Sequence, residues 1–125
     1  MQENIEIKGN LNMPDVSFNA STGKLVIEGR SILENTTRFY KPLLDWIDKY
    51  CEEPAENTEL HLKLEYFNTS TSKYLLSIFE KIDELYNGGD DVILYWYSSD
   101  EDMEDLGKDY EDIVSIPFVF KEFSV

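Results

Sequence analysis

Four consecutive hydroxyl side chains, Thr69, Ser70, Thr71 and Ser72, stand in the stretch YFNTSTSKYLLSIFEKI, residues 66–82. The chain carries 26 Asp and Glu residues, yet none falls between Tyr66 and Phe79. The apolar spacing that follows puts the hydroxyls at a helix start, where unpaired N–H groups and the helix dipole normally favour carboxylates. Two chemistries suit such a cluster. A hydroxyl can cap the helix, contributing ~1 kcal/mol, but one cap needs one hydroxyl. A hydroxyl can also accept a phosphoryl group, which adds roughly −1.5 to −2 charge at a natural anion site of the backbone. Lys73 is close enough to assist, and the lack of carboxylates removes the main repulsion. On spacing alone both readings stand.

Other residues carry weaker signals. His61 alternates with Leu60 and Leu62 and faces away from them on a strand. Without a second titratable partner beside it, it reads as a structural or surface residue rather than a general base. Cys51 lies near a helix end beside Glu52, and acidic neighbours raise a thiol's pKa, the reverse of activation. NGGD (87–90) lacks the lysine and hydroxyl of a phosphate-binding glycine loop. DEDMEDLGKDYE (100–111) has acids at positions one, three, five and twelve of an EF-hand, but Asp105 occupies the obligatory glycine position and Gly107 falls two places late. An acidic, solvated helix is the better reading. No catalytic residue, metal site or cofactor site is expected.

Composition bounds the partners. A net charge of −15, with 11 Lys and Arg spread along 125 residues, disfavours nucleic acid and anionic membranes. The one cysteine allows no internal disulfide, no basic leader precedes an apolar run, and no apolar stretch approaches the ~18 residues of a membrane span. A cytoplasmic protein is expected. With 42 % hydrophobic residues the chain can bury one core, and no linker divides it, so residues 1–125 read as a single domain.

The elements that must position the hydroxyls follow from periodicity. NIEIKG (4–9) alternates like a strand, and DVSFNASTGKLVIEG (15–29) reads as a hairpin turning at Ser21-Thr22-Gly23. Phe39, Leu43, Trp46, Ile47 and Tyr50 recur at helical spacing within residues 34–53, with Asn35 or Thr36 as cap and Pro42 as a candidate kink. LHLKLEYF (60–67) reads as a strand. Leu75, Ile78, Phe79, Ile82 and Leu85 form the stripe of a second helix, with Gly88 suited to a left-handed C-cap. VILYWY (92–97) reads as a central strand buried on both faces. An acidic helix over 100–113 and a strand over 115–123 complete the order. The fold class is therefore α/β: a small sandwich, a mixed sheet of about six strands with helices packed on it.

Three blocks together resemble the SiaC family of bacterial regulatory phosphoproteins. These are GRSILENTTRFYKPLLDWI (29–47), LEYFNTSTSKYLL (64–76) with the family's Tyr-x-Asn-Thr-Ser signature, and VILYWYSSDEDMEDLGKDY (92–110). The resemblance implies a STAS-like architecture and a partner-switching role. It implies phosphorylation on the motif threonine by a cognate protein kinase and reversal by a PP2C-type phosphatase. The unphosphorylated form would bind a downstream effector, such as a diguanylate cyclase. Carried onto this chain, the phosphoacceptor is Thr69, and Asn68, Ser70, Thr71, Ser72 and Lys73 surround it as the switch surface. Two departures set the chain apart: Thr71 stands where the family has serine, and SSDED follows the Trp-Tyr pair where Tyr-Asp is commoner. Two alternatives remain, a constitutive interaction module whose hydroxyls only cap a helix, and a small-ligand protein or enzyme using YWY as a pocket wall.

Overall fold

The computed structural model describes residues 2–125. Strands β1 (Ile5–Ile7), β2 (Asp15–Asn19) and β3 (Lys24–Ser31) come first. Helix α1 (Thr36–Glu52), β4 (Asn57–Phe67), α2 (Thr69–Asn87), β5 (Asp91–Ser98), α3 (Glu101–Ile113) and β6 (Phe118–Glu122) alternate after them. The six strands form one mixed sheet, as the patterning of the chain suggests, and the structure sets their order as β1-β2-β3-β4-β5-β6. The first three strands are antiparallel neighbours, while β3, β4, β5 and β6 run parallel.

That order has a strong consequence. Each crossover from β3 to β6 moves one strand in the same direction, and crossovers of one hand moving one way place their helices on one face. The core lies between that face and α1, α2 and α3. Phe18 and Trp46 meet with ring centroids 5.2 Å apart, Phe79 packs edge-on against Tyr110 at 4.9 Å, and Trp96 donates its indole N–H to the Met103 carbonyl at 2.9 Å. No helix among the described residues is long and apolar enough to cross a membrane.

The expectation that VILYWY is buried on both faces is corrected here. The strand is internal, but Val92, Leu94 and Trp96 are buried while Ile93, Tyr95 and Tyr97 lie on the uncovered face. The Tyr95 and Tyr97 rings there both stack on His61 and lie under lysine ammonium groups instead of under helices. Lys121 Nζ sits 5.4 Å from the Tyr95 centroid, and Lys63 Nζ 5.9 Å from that of Tyr97. Helices α2 and α3 cover β5, whereas α1 lies over the β2–β4 side, with Tyr50 bonded to Thr58.

Smaller departures are local. Pro42 lies inside a continuous α1, on its exposed side, where solvent can serve the carbonyl that loses its N–H partner. Helix α2 ends with Gly88 in right-handed geometry, and the left-handed residue is Gly89 at φ 104°, one place later than expected. Register slips between Gly29 and Arg30, leaving Glu65 of β4 as the extra residue; Leu64 and Phe67 are therefore both buried although they are three apart.

Gly107 explains itself by contact. A Cβ there would stand 2.6 Å from the buried Trp96 ring. Gly107→Ala should therefore destabilise the fold by about 1–3 kcal/mol through overpacking, despite the ~1 kcal/mol that alanine gains in helix propensity. Urea unfolding followed by tryptophan fluorescence measures this, and an unchanged or raised midpoint contradicts it.

Candidate functional site

Parallel strands β3, β4 and β5 end on one side of the sheet, so the helices that follow them all start there. Two of these starts touch. Asn35 caps α1 by accepting the Arg38 N–H at 3.1 Å, and Asn68 caps α2 by accepting the Thr71 N–H at 3.1 Å. Neither helix has an acid in its first turn, whereas α3 has Glu101, Asp102 and Glu104. Thr36 bonds Ser70 across the seam, with their hydroxyl oxygens 2.7 Å apart, and the Thr37 hydroxyl bonds that of Tyr74.

The four hydroxyls of α2 have four different fates. Thr71 is fully buried, donating to the Ser31 carbonyl at 3.1 Å or to Asn68 Oδ1 at 2.8 Å, with Ser31 Oγ at 2.9 Å. Ser31 continues the chain to the Tyr40 hydroxyl at 2.7 Å. Ser70 is exposed but tied to Thr36 and to Asn68 Oδ1, the latter at 3.1 Å. Ser72 donates to the Thr69 carbonyl at 2.6 Å. Thr69 is exposed, and its hydroxyl has no hydrogen-bond partner among the described residues. Lys73 is exposed beside it and forms no ion pair there.

Asn68, Thr69, Ser70, Ser72 and Lys73 are thus brought together at one surface. Thr71 is not part of that surface. It stands one helical turn before Leu75 and so falls on the buried stripe, a signal present in the sequence. The contribution of α1 was visible as well, since Asn35-Thr36-Thr37 repeats the Asn-hydroxyl-hydroxyl order of residues 68–70. Ser31, Tyr40 and Tyr110 carried no such signal. Tyr110 donates from α3 to the Ser72 carbonyl at 2.9 Å. Burial pushes the Tyr40 phenol up to about 12, against the opposing hydrogen bonds of Ser31 and Thr71, so it stays a neutral partner of the network.

The competing centres also take definite shapes. His61 does have titratable partners, contrary to the expectation from sequence: Nε2 lies 2.8 Å from Glu59 Oε1 and Nδ1 lies 3.0 Å from the Tyr97 hydroxyl, with the ring stacked on Tyr95. Parallel pairing brings Tyr95 opposite His61, a proximity no local pattern reveals. These four residues lie on the uncovered sheet face, and Tyr97 is pushed up by burial first and then by Tyr95 and the nearby carboxylates, which makes it a poorer nucleophile. Cys51 is raised to about 11, mainly by burial, with Asp48, Glu84 and Asp90 adding to it against Lys81. Residues 101–113 form the acidic helix, capped by Asp100 through the Met103 N–H at 2.8 Å.

Fold and site together describe an α/β domain with a hydroxyl-rich, acid-free seam between two helix starts, carrying one unengaged threonine. Residues 7–123 match the model of the SiaC family regulatory phosphoproteins, and the chain belongs to that family. It is 27% identical over 119 residues to an uncharacterized protein of Pseudomonas aeruginosa (strain UCBPP-PA14), covering 94% of each chain. Apo-SiaC from Pseudomonas aeruginosa superposes with a TM-score of 0.89 at 26% identity, over 96% of this chain and 99% of that one. SiaC in the crystal structure of the diguanylate cyclase SiaD with its activator SiaC, from the same organism, gives a TM-score of 0.90 at 26% identity, over 95% and 99% of the two chains.

Two measurements probe this geometry. Thr71→Val should cost about 1–3 kcal/mol because Ser31 and Asn68 lose a buried partner, while Thr69→Val should stay within about 0.5 kcal/mol. Equal urea midpoints for the two variants would contradict the assigned fates. Separately, Cys51 at pH 8 should react with an aromatic disulfide reagent at least about tenfold more slowly than an unperturbed thiol, because its smaller thiolate fraction outweighs the higher nucleophilicity of a more basic thiolate. A rate equal to that of an unstructured cysteine-containing peptide overturns the protected setting.

Proposed function

We propose that the chain is a non-enzymatic phospho-switch, with residues 1–125 acting as one cytoplasmic regulatory domain. In this reading Thr69 is phosphorylated by a cognate kinase and released by a PP2C-type phosphatase, in a partner-switching cycle of the STAS-like kind. The unphosphorylated form engages a downstream effector, and a diguanylate cyclase is the class suggested by the relative that activates one. The observation that carries the reading is the unengaged Thr69 hydroxyl at the start of α2, beside three hydroxyls already held by the fold. Asn68 takes the capping role, so Thr69 is not needed for it.

The chemistry follows from this placement. Phosphate at Thr69 sits over a helix start whose dipole favours it, with no carboxylate in the first turn of α1 or α2 to oppose it. The fold therefore changes little. A docked partner meets a new dianion with its hydration shell, on a protein already at −15, and the contact weakens by repulsion and desolvation.

The reading is tested by tandem mass spectrometry of kinase-treated protein followed by effector-binding measurements. Phosphate should appear at Thr69, and affinity should fall by roughly 2–5 kcal/mol, tens to thousands of fold. Thr69→Ala should carry no phosphate and bind constitutively, and Thr69→Asp should imitate the modified form in part. Phosphate confined to Ser70 or Ser72 overturns the residue assignment. Equal affinity of modified and unmodified protein overturns the mechanism.

A further inference from the structure

The sheet stops at β6, and the stopping edge is open. The Leu94 N–H donates to the Pro117 carbonyl at 2.9 Å and the Phe123 N–H to the Ser98 carbonyl at 3.1 Å. Alternate residues of a strand in a parallel ladder turn both backbone groups to the same neighbour. Pro117, Val119, Lys121 and Phe123 therefore face β5, while Phe118, Phe120 and Glu122 aim their N–H and C=O groups away from the sheet. No described strand pairs with them. Phe118 and Phe120 point to the helix side, yet both stay only half-buried, Phe118 meeting Phe79 of α2 edge-on at 6.3 Å while the outer side of the pair has no further strand beside it. Such an edge is a ready template for another strand.

At the C-terminal end of the same edge lies a groove of about 630 Å³, between the start of α3 and residues 122–124. Its wall holds Asp100, Glu101, Glu104, Asp105 and Glu122 against one cation, Lys108, which already pairs with Glu104 at 3.5 Å. The groove thus carries uncompensated negative charge directly beside unpaired main-chain groups.

We propose that the β6 edge and this groove form a docking site for an extended, basic segment of a partner protein, which adds as a seventh strand and seats an arginine or lysine among the carboxylates. Main-chain bonds to Phe118, Phe120 and Glu122 supply the pairing, and alternate side chains cover the flanks of Phe118 and Phe120. Charge selects the occupant. A second copy would bring its own −15 and its own acidic groove to the contact, and a neutral strand would leave the carboxylates unanswered. The site is separate from Thr69 and stands or falls independently of the phospho-switch.

The test is a titration of the isotope-labelled full chain with a capped seven-residue peptide alternating valine and arginine. A peptide with glutamate in place of each arginine, and one with proline in place of the central valine, serve as controls. The arginine peptide should slow hydrogen exchange at the Phe118, Phe120 and Glu122 amides and shift the first turn of α3. It should bind at least tenfold more tightly than either control, and Thr69→Ala should leave its affinity unchanged. The triple variant Glu101→Gln, Asp105→Gln, Glu122→Gln should weaken it at least fivefold. Binding of equal strength to the arginine and glutamate peptides overturns the proposal, as do absent binding, responses confined to the uncovered sheet face, or shifts without protection of the three edge amides.

Discussion

One-way winding of the parallel strands is the constraint on which the rest depends. Because β3 to β6 are laid side by side without a reversal, all three helices fall on one face and all three start at one end. A reversal would have opened a crevice between crossovers going opposite ways, the usual seat of a nucleotide in open α/β sheets. This chain instead packs α1 against α2 and closes their starts together through Thr36 and Ser70. What the fold presents at that end is a surface of helix starts, suited to contact with another protein.

Within that surface Asn68 sets the division of labour. Its side-chain oxygen lies within bonding distance of the Thr71 N–H and of the Ser70 and Thr71 hydroxyls. The bond from Thr71 continues inward through Ser31 to Tyr40, so the helix start is anchored to β3 and α1 from within the core. Thr69 lies one residue beyond the cap, fixed in its backbone by this anchor and left open at its side chain. A group that is held rigidly and used by nothing else can change its charge at little cost to stability. At the same end of the sheet, the first turn of α3 carries the acids that α1 and α2 lack.

Much of this was legible from sequence because the elements are periodic and well bounded. Leu60, Leu62 and Leu64 alternate; Leu75, Ile78 and Phe79 recur at helical spacing; and the boundaries of α1, α2 and α3 sit within a few residues of their hydrophobic patterns. Most of the misses share a cause: they depend on which strand lies beside which. VILYWY looks buried on both faces because tyrosines read as apolar, but Tyr95 and Tyr97 use His61, Lys63 and Lys121 as half-wet neighbours. Tyr97 as a partner of His61, the bulge at Glu65, and the anchoring of Thr71 by Ser31 are likewise products of register, whereas Glu59, two residues before His61 on the same strand, was a local signal passed over in the sequence. At the site itself residue type indicated a cluster and the family resemblance indicated Thr69. Separating one free hydroxyl from three engaged ones required the packed structure.

The central claim is that modification of Thr69 changes the surface and leaves the fold as it was. An amide correlation spectrum of the stoichiometrically phosphorylated protein tests it most directly. The account predicts shifts confined to residues 68–73 and to the adjoining start of α1 at 36–38, with the amides of β4, β5 and the cap residue Thr71 still protected from exchange. Shifts spread through the sheet, or loss of protection at Thr71, would contradict it.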